Sequence, residues 1–429
     1  MCKVTFKPKY HITSIDGWLN DPNGLIYYKD NYHIFYQSSL LSSDSAKSWG
    51  HLITKDFKCY NYLGHAINPD TEYDISGAYS GSAIEFNNKL YLFYTGNVKH
   101  KGDFDYINSG RDANILRVES TDGINFTNKK LIMTNKDYPN YLSCHVRDPK
   151  ISVINNEIYM ILGARTKDSA SATLIYKTKD LESFQLIQEE TYSDLGYMIE
   201  CPDLFKLGND IVYSYCPQGV KAEKNRFKNI FSSGYSIGRI SKSIYHEWDL
   251  GYDFYAPQTF KDNKNRRILI GWAGILGDTD YTYLDNKEGF MHSLTLPREL
   301  TLKNGKIYQY PIEEINNRFK KIDSNSSYSG SFYKAYIEEY NNQIDIEINS
   351  SMKVLSDGLK FEVIYNKNSA GRKNRCYDIK VKNITIYSDN SIIEMYINNG
   401  EYVYTTRIYP EEYNIKINTG ISSISVLED

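Results

Sequence analysis

An internal repeat constrains the fold of this chain more than any other feature of its sequence. Each copy has a turn-forming start, a β-rich run, a short polar turn and a second run rich in Tyr, Ile and Leu. The copies begin at Pro22, Ser80, Asp148, Cys201 and Ala256. The polar turns contain pairs that tolerate the positive φ angles of tight hairpins: Asp30-Asn31, Asn87-Asn88, Asn155-Asn156 and Gly208-Asn209. Each copy is therefore predicted to form a β-hairpin.

A weaker repeat lies between these hairpins. It starts at Thr54, Ser120 and Thr178, and an aromatic residue follows each start within a few positions. We interpret these segments as turns and outer strands that complete four-stranded units. Repeats of such units are typical of a β-propeller, so the sequence predicts five blades over residues 1–310. The alternative is an ordinary β-sandwich array whose segments are similar by coincidence.

The pattern changes after Pro311. The segment IEEINNRFKK resembles a short helix, and we predict a linker over residues 311–322. Alternating strands then follow, with a hairpin turn at Asn398-Asn399-Gly400. This pattern predicts an antiparallel β-sandwich over residues 323–429. The fold class is therefore all-β: a five-bladed propeller followed by a sandwich.

Charge and composition exclude several classes of partner. A formal net charge of −3 gives no reason to expect nucleic acid or an anionic membrane. No run of 18 apolar residues is present, and the N-terminus lacks an apolar segment behind basic residues, so a cytoplasmic protein is expected. The six cysteines are scattered without CxxC spacing, which favours free thiols over disulfides. No metal and no cofactor are expected.

Three carboxylates stand at the starts of different repeats. They are Asp21, Asp148 and Glu200, each at or directly before the first strand of its copy. In a propeller the first strand of each blade lines the central channel, so these acids should meet in one funnel. Like charges gathered in this way are costly unless a site uses them. The alternative for each acid alone is a turn or cap residue, since Asp-Pro and Asn-Asp pairs are common in turns.

Such a set of acids suits glycoside hydrolysis. One carboxylate attacks the anomeric carbon and must be ionised, while a second must hold a proton for the leaving oxygen. Asp148, with Arg147 beside it, should remain charged and bind hydroxyls rather than transfer protons. The residues require no metal for this chemistry, and no ligand spacing indicates one.

At these positions the chain resembles glycoside hydrolase family 32. WLNDPNG at 18–24, RDP at 147–149 and ECPD at 200–203 are similar to the three signatures of that family, in the same order. Further matching segments, such as HIFYQ at 33–37 and IGWAG at 270–274, extend the resemblance over nearly the whole chain. The family's fold is a five-bladed propeller with a β-sandwich, which agrees with the repeats.

The resemblance also implies residue roles. Asp21 would be the nucleophile, Glu200 the general acid/base and Asp148 the stabiliser of the transition state. Fructose would be bound through the residues that match the family's sugar contacts: Trp18, Asn20, Gln37, Trp49, Tyr79, Ser80, Arg147, Tyr255 and Trp272. Trp49 and Trp272 could instead be blade-core aromatics, and Gln37 could satisfy a buried backbone group.

The expected activity is retaining hydrolysis of a terminal β-fructofuranoside in a small sugar: sucrose, sucrose 6-phosphate or a short fructo-oligosaccharide. The alternatives are a fructan exo-hydrolase, a fructosyltransferase, an inverting arabinan-type enzyme and an inactive sugar-binding propeller. Departures from the family pattern at Tyr60, Asn114 and Val146 leave the leaving-group side open. A phosphate there would need cations at the rim, and the candidates are Lys99, Lys101 and Arg111. The sandwich should cover a blade edge or mediate a homodimer.

Overall fold

The computed structural model describes residues 5–15, 17–40, 46–127, 129–275, 283–324, 326–366 and 370–428. Strands form nearly all of its regular structure. The described helices are α1 (Glu313–Asn316) and three single 3₁₀ turns at Asn135–Asp137, Lys242–Ile244 and Asp285–Glu288. The prediction of an all-β chain is confirmed, and α1 lies where the sequence indicated a short helix.

In the part of the chain that the structure describes, the strands before α1 form five sheets. Sheet 1 contains β1 (Gly17–Tyr28), β2 (Asn31–Ser39), β3 (Ser48–Thr54) and β4 (Asn61–Ile67). Sheet 2 contains β5 (Ala78–Phe86), β6 (Lys89–Lys99), β7 (Arg111–Ser120) and β8 (Lys130–Met133). Sheet 3 contains β9 (Leu142–Ile154), β10 (Glu157–Thr166), β11 (Ser171–Thr178) and β12 (Gln185–Tyr192).

Two further sheets complete this part of the molecule. Sheet 4 contains β13 (Met198–Leu207), β14 (Asp210–Gln218), β15 (Gly234–Ile237) and β16 (His246–Glu247). The following strands are β17 (Tyr255–Lys261), β18 (Arg267–Trp272), β19 (Phe290–Met291), β20 (Arg298–Lys303) and β21 (Lys306–Pro311). Of these, β19 pairs in parallel with β1 in sheet 1, and the other four form sheet 5.

The strands after α1 form two six-stranded sheets. The first has the order β22 (Phe319–Lys321), β33 (Ile421–Leu427), β24 (Phe332–Glu338), β29 (Asn383–Asp389), β30 (Ile392–Ile397) and β31 (Tyr402–Arg407). The second has the order β23 (Ser327–Ser329), β32 (Asn414–Thr419), β25 (Ile344–Ile348), β26 (Met352–Ser356), β27 (Phe361–Tyr365) and β28 (Arg375–Tyr377). Because β22 pairs with β33, the end of the segment predicted as a linker belongs to a sheet.

The hairpin turns occur where the sequence predicted them, with one shift. Positive φ angles occur at both residues of Asn87-Asn88, Asn155-Asn156 and Asn398-Asn399. In the first hairpin the turn residues are Lys29 and Asp30, because Tyr28 pairs with Asn31. The expected turn at Asp30-Asn31 was therefore one residue late.

The weaker repeat forms the same turn in three sheets. The hydroxyl of Thr54 accepts the backbone N–H of Phe57, and the hydroxyl of Thr178 accepts that of Leu181. Ser120 does the same for Gly123. An aspartate two residues after each hydroxyl then accepts the next backbone N–H groups, which is a local alternative to strand pairing. These turns end the third strand of each sheet and lead into the fourth.

Neighbouring sheets are joined by buried polar contacts. Ser82 Oγ in sheet 2 donates to the carbonyl of Pro149 in sheet 3 at 2.7 Å. The backbone N–H of Thr259 in sheet 5 donates to Asp203 in sheet 4 at 2.9 Å. Tyr32 in sheet 1 donates to Asp262 beside sheet 5 at 3.2 Å, so the last sheet of the series contacts the first.

The two parts of the chain share a buried, charged interface. Arg298 of β20 pairs with Asp249 at 3.1 Å and with Glu394 of β30 at 2.8 Å, and all three side chains are inaccessible to solvent. Leu250 and Tyr252 belong to the same apolar cluster as the sandwich core. The C-terminal sheets therefore pack directly on the N-terminal ones.

Cys59, Cys144, Cys201, Cys216 and Cys376 carry free thiols, and Cys2 lies outside the described residues. Within the described ranges, no helix has the length and apolar character needed to cross a membrane.

Candidate active site

A β-bulge interrupts the first strand of every one of the five sheets. The pairing register shifts around residues 20–21 in β1, at Ser80 in β5, around 148–149 in β9, around 201–202 in β13 and around 256–257 in β17. Bulges turn a side chain away from the regular alternation of a strand and are common beside active sites. The repeat therefore places five bulges at equivalent positions, and the three carboxylates lie in or next to them.

In three of these bulges, one residue has a left-handed backbone conformation. Asp148 has φ 64°, Cys201 has φ 44° and Ala256 has φ 48°. Residues with a Cβ rarely adopt this conformation, and such strain persists where the surrounding structure holds it. Here the backbone N–H of Cys201 donates to Asp148 Oδ2 at 2.8 Å, which ties two of the bulges together.

The bulges surround a cavity of about 240 Å³. Its lining consists of Asn20, Asp21, Gln37, Lys47, Tyr79, Ser80, Arg111, Arg147, Asp148, Glu200, Gln218, Phe231, Tyr255 and Trp272. All three predicted carboxylates are present, together with every predicted sugar-binding residue except Trp18 and Trp49. Five sheets contribute to this one site, although its residues are far apart in sequence.

Asp21 is held by short hydrogen bonds. Ser80 Oγ donates to Asp21 Oδ2 at 2.5 Å, and Asn20 Nδ2 donates to Oδ1 at 3.1 Å. The thiol of Cys201 lies 3.5 Å from Oδ2. Burial raises the pKa of Asp21, while the donors from Ser80 and Asn20 oppose that rise. The carboxylate is thus desolvated, fixed in orientation and stabilised as an anion by neighbouring dipoles.

Glu200 accepts hydrogen bonds from three side chains. Arg147 donates to Oε1 at 2.6 Å as an ion pair. Gln218 and Tyr255 donate to Oε2 at 2.6 and 2.8 Å. The three donors come from three different sheets, so the position of the carboxyl group depends on how those sheets pack.

The ion-pair partner of Arg147 differs from expectation. The sequence suggested that Arg147 would keep Asp148 ionised. In the structure, the Arg147 guanidinium forms its ion pair with Glu200. Burial raises the pKa of Asp148 to about 7, against the opposing effect of Arg147. Asp148 thus lacks the ion pair that its adjacency to Arg147 suggested, and its burial favours the protonated form.

Amide side chains link the polar groups on the Asp21 side of the cavity. Asn20 donates to Gln37 at 2.8 Å, and Gln37 donates to Ser80 Oγ at 2.6 Å. Trp18 Nε1 donates to Asn20 Oδ1 at 2.9 Å. Each of these donors has a fixed acceptor, so the orientation of the Asn20 and Gln37 amides is determined. Gln37 bonds to the side chains of Asn20 and Ser80 rather than to a buried backbone group.

Trp18 and Trp49 do not line the cavity. Trp49 is completely buried, packs against Phe35 and Tyr94, and donates through Nε1 to the Tyr79 carbonyl at 3.0 Å. Trp18 contacts three lining residues from behind: it donates to Asn20, lies under Lys47 and packs against Trp272. Trp49 is thus the core aromatic that the sequence allowed as an alternative, whereas Trp272 does line the cavity.

Lys47, Gln218 and Phe231 line the cavity but were not identified from the sequence. Gln218 lies at the end of β14, as Gln37 lies near the end of β2, so the second strand of a sheet also returns to the site. A polar residue ending the second run of a repeat was the available signal. Lys47 and Phe231 lie outside the repeated segments, and nothing in the pattern marks them.

Of the three rim cations suggested by the sequence, only Arg111 lines the cavity. Lys99 and Lys101 are exposed and do not contribute to it. Val146 and Asn114, where the chain departs from the family pattern, are buried behind the lining, and Asn114 donates to the Tyr73 carbonyl.

An all-β chain whose sheets gather three carboxylates and a set of fixed amides around one small cavity has the features of a glycoside hydrolase. The chain belongs to glycosyl hydrolase family 32. Residues 11–311 match the "Glycosyl hydrolases family 32 N-terminal domain" and residues 318–426 match the "Glycosyl hydrolases family 32 C terminal". The protein is therefore an enzyme of the glycoside hydrolase class.

Its relatives include bacterial enzymes of similar length. A sucrose-6-phosphate hydrolase of Staphylococcus xylosus is 32% identical, over 97% of this chain and 90% of its own length. One from Vibrio alginolyticus is 34% identical, over 95% and 87%. Among solved structures, a sucrose-6-phosphate hydrolase of Lactobacillus gasseri is 26% identical with a TM-score of 0.86, covering 99% of this chain and 93% of that one. A Bombyx mori β-fructofuranosidase is 27% identical with a TM-score of 0.84, covering 99% and 95%.

Proposed function

We propose that this enzyme is a retaining β-fructofuranosidase that hydrolyses the terminal fructoside of sucrose or sucrose 6-phosphate. The observation that carries the proposal is the convergence of Asp21, Asp148 and Glu200 on one cavity, with Asp21 fixed by Ser80 and Glu200 by Arg147. Relatives named sucrose-6-phosphate hydrolase support the choice of substrate. A Bombyx mori family member in complex with sucrose supports it as well.

The proposed reaction has two steps. Asp21 attacks the anomeric C2 of fructose while Glu200 gives a proton to the leaving oxygen, which forms a fructosyl ester on Asp21. Water then attacks C2, Glu200 takes the proton from that water, and the ester bond breaks to release fructose with retained configuration. Both carboxyl groups return to their starting protonation states.

The other lining residues bind the sugar in this proposal. Asp148 and Arg147 hold fructose hydroxyls on the side opposite the Asn20–Gln37–Ser80 chain of amides and hydroxyl. Trp272 and Tyr255 cover the ring. Trp18 orients Asn20 and lies under Lys47, and Trp49 supports the backbone of Tyr79.

We also propose the architecture that the sequence predicted. The five sheets are the blades of one propeller over residues 1–310, residues 311–322 are the linker except that β22 at its end pairs with β33, and residues 323–429 form the rest of the sandwich. The ordered contacts between successive sheets, and the return contact from Tyr32 to Asp262, support closure into a ring. A homodimer and a cytoplasmic location stay predictions.

The test combines substrates and variants. We expect Asp21→Asn and Glu200→Gln each to lower kcat on sucrose or sucrose 6-phosphate by at least about 10²–10⁴-fold. Methanolysis should yield the β-methyl fructoside, and the two carboxyl groups should lie about 5–5.5 Å apart in a substrate complex. A hydrolysis panel with raffinose, inulin and levan separates the fructan exo-hydrolase alternative.

Asp210→Asn is the matched control, because Asp210 is exposed at the hairpin turn of the sheet that carries Glu200. It should keep normal turnover. Near-normal turnover of Asp21→Asn or Glu200→Gln, or an inverted methanolysis product, would contradict the mechanism.

A further inference from the structure

Three cationic side chains line the cavity, and they differ in how far neighbouring groups balance their positive charge. Arg147 forms an ion pair with Glu200 and is also close to Asp148. Lys47 lies on the side of Asp21, where its Nζ is 4.7 Å from the Trp18 ring and 2.7 Å from Ser39 Oγ. Arg111 has no carboxylate within ion-pair distance among the residues that the structure describes. Lys47 has no ion-pair partner among these residues either, but its ammonium lies over the Trp18 ring and donates to Ser39, whereas Arg111 Nε has no hydrogen-bond partner among them.

Arg111 stands at the start of β7, next to the loop that follows β6. Its guanidinium is partly buried, and its Nε has no hydrogen-bond partner in the described part of the chain. One terminal nitrogen lies 3.5 Å from His145 Nδ1. Burial lowers the pKa of Arg111, and the neighbouring Arg147 lowers it further. A desolvated guanidinium with an unused donor is an unfavourable arrangement unless a ligand completes it.

His145 leaves this positive charge uncompensated. Its Nε2 lies 2.9 Å from the Tyr106 carbonyl, so Nε2 carries the proton and Nδ1 is an acceptor. Arg147 donates to the same Nδ1 at 2.5 Å. Burial lowers the pKa of His145 to about 3, and the two guanidinium groups contribute, so the ring is neutral. It holds both guanidinium groups in place without contributing a negative charge.

The position of Arg111 relative to the proposed chemistry indicates which half of the substrate it faces. Arg111 and Arg147 both contact His145 Nδ1, and Arg147 pairs with Glu200, so Arg111 lies on the Glu200 side of the cavity. In the proposed reaction, Asp21 attacks the fructose carbon and Glu200 protonates the oxygen of the departing group. Arg111, at the start of β7 and on the Glu200 side of the cavity, therefore faces the leaving half of the substrate.

We propose that Arg111 binds a phosphate group on the leaving half of the substrate and thereby selects a phosphorylated disaccharide over its neutral counterpart. This inference rests on the proposed function and assigns the specificity to one residue. The planar guanidinium can donate two parallel hydrogen bonds to a phosphate, and the dianion would balance the free charge. Neutral sugar hydroxyls would leave that charge unbalanced.

The experiment compares kcat/KM for sucrose 6-phosphate and sucrose in four forms of the full-length enzyme. In Arg111→Gln, we expect kcat/KM for sucrose 6-phosphate to fall about 10- to 100-fold, which is the range for a lost charge-assisted hydrogen bond, with a change of less than about 3-fold for sucrose. Arg111→Lys should restore part of the loss, because it keeps the charge but not the planar fork. Glucose 6-phosphate should inhibit the unaltered enzyme more strongly than it inhibits Arg111→Gln.

Lys99→Gln is the matched control. Lys99 pairs directly with Arg111 across β6 and β7, but its side chain is exposed and outside the cavity. Lys99→Gln removes one positive charge close to Arg111. If the ratio of kcat/KM for the two sugars is unchanged in this variant, the preference depends on direct contact with Arg111 rather than on the overall electrostatic field.

Two outcomes would overturn the inference: an equal loss for both substrates in Arg111→Gln, or an unaltered enzyme without preference for the phosphorylated sugar. In either case the proposed function survives, because fructose is still released. If the unaltered enzyme releases fructose from neither sugar, the proposed function itself fails.

Discussion

At the scale of single residues, the hydroxyl of Ser80 donates to Asp21 and favours its anionic form. Burial raises the pKa of Asp21, and the Ser80 donor is the first of the groups that lower it. We expect Ser80→Ala to raise this pKa further. Because the nucleophile acts only as an anion, the acidic limb of the kcat/KM profile should move to higher pH, by about 1–2 units for a lost hydrogen bond to a charged group. Kinetics between pH 4 and 8 measure this shift.

Ser82→Ala is the control for that shift. Ser82 lies on the same strand and is buried, but its hydroxyl bonds to the Pro149 carbonyl rather than to Asp21. We expect this variant to lose stability while its acidic limb keeps its position. An unshifted limb in Ser80→Ala would mean that Ser80 does not stabilise the anion.

The sequence could predict the three carboxylates because each stands at the same position of a repeat. It could not tell which of Trp49 and Trp272 lines the cavity, because both follow a strand motif. Only the packing in the structure shows that Phe35 and Tyr94 enclose the Trp49 ring. The partner of Arg147 could not be predicted for a similar reason. Sequence adjacency placed Arg147 beside Asp148, but the guanidinium is directed to Glu200.

At the scale of elements, the repeat predicts hairpins but not the bulges within them. A bulge shifts the alternation of side chains by one residue, but β13 around Glu200 is buried on both faces, so its sequence contains no alternation in which that shift could be seen. The turn at Lys29-Asp30 shows the same limit, because the polar residues there permit either of two adjacent registers. The sequence repeat also does not show where neighbouring sheets approach each other closely.

Gly163 is one such close approach. A Cβ at this position would lie 2.1 Å from the carbonyl oxygen of Ile199, the residue before Glu200. Gly163→Ala must therefore push sheets 3 and 4 apart. We expect a loss of about 1–3 kcal/mol in the free energy of unfolding, as for other overpacked sites, together with a lower kcat. Denaturant unfolding and steady-state kinetics measure the two effects.

Glu157→Ala provides the comparison on the same strand. Glu157 is exposed and pairs with Lys177 at the surface, so its removal should cost less than about 1 kcal/mol and leave kcat unchanged. If Gly163→Ala proved as stable and as active as Glu157→Ala, the tight packing of sheets 3 and 4 would not position Glu200.

At the scale of the whole molecule, buried charges join the N-terminal sheets to the C-terminal ones. His11 lies between Asp389 and Glu394, at 2.8 and 3.1 Å, and all three side chains are inaccessible to solvent. Arg298 and Tyr396 also contact Glu394. The sequence predicted two domains and a linker, but it gave no sign of this network, because its members lie hundreds of positions apart and follow no repeat.

The His11 contacts make stability depend on pH. Burial lowers the pKa of His11, but hydrogen bonds to Asp389 and Glu394 outweigh that effect and raise the pKa above its usual value. The protonated form is therefore favoured by folding. Its contribution is complete below the unfolded pKa of about 6.5 and is lost as the pH rises through the higher folded pKa. We expect the free energy of unfolding to decline over that interval.

Replacing the histidine isolates this contribution. His11→Gln removes the cation and leaves two buried carboxylates less compensated, so it should cost about 3–5 kcal/mol at pH 6 and abolish the decline above that pH. His65→Gln, at an exposed histidine of β4, should give a curve parallel to that of the unaltered protein. Denaturant unfolding from pH 5.5 to 9 measures the free energy of unfolding of each protein and so tests this prediction. Because His11 precedes β1 while Asp389 and Glu394 belong to β29 and β30, persistence of the decline in His11→Gln would show that the contact between the two parts depends on other groups.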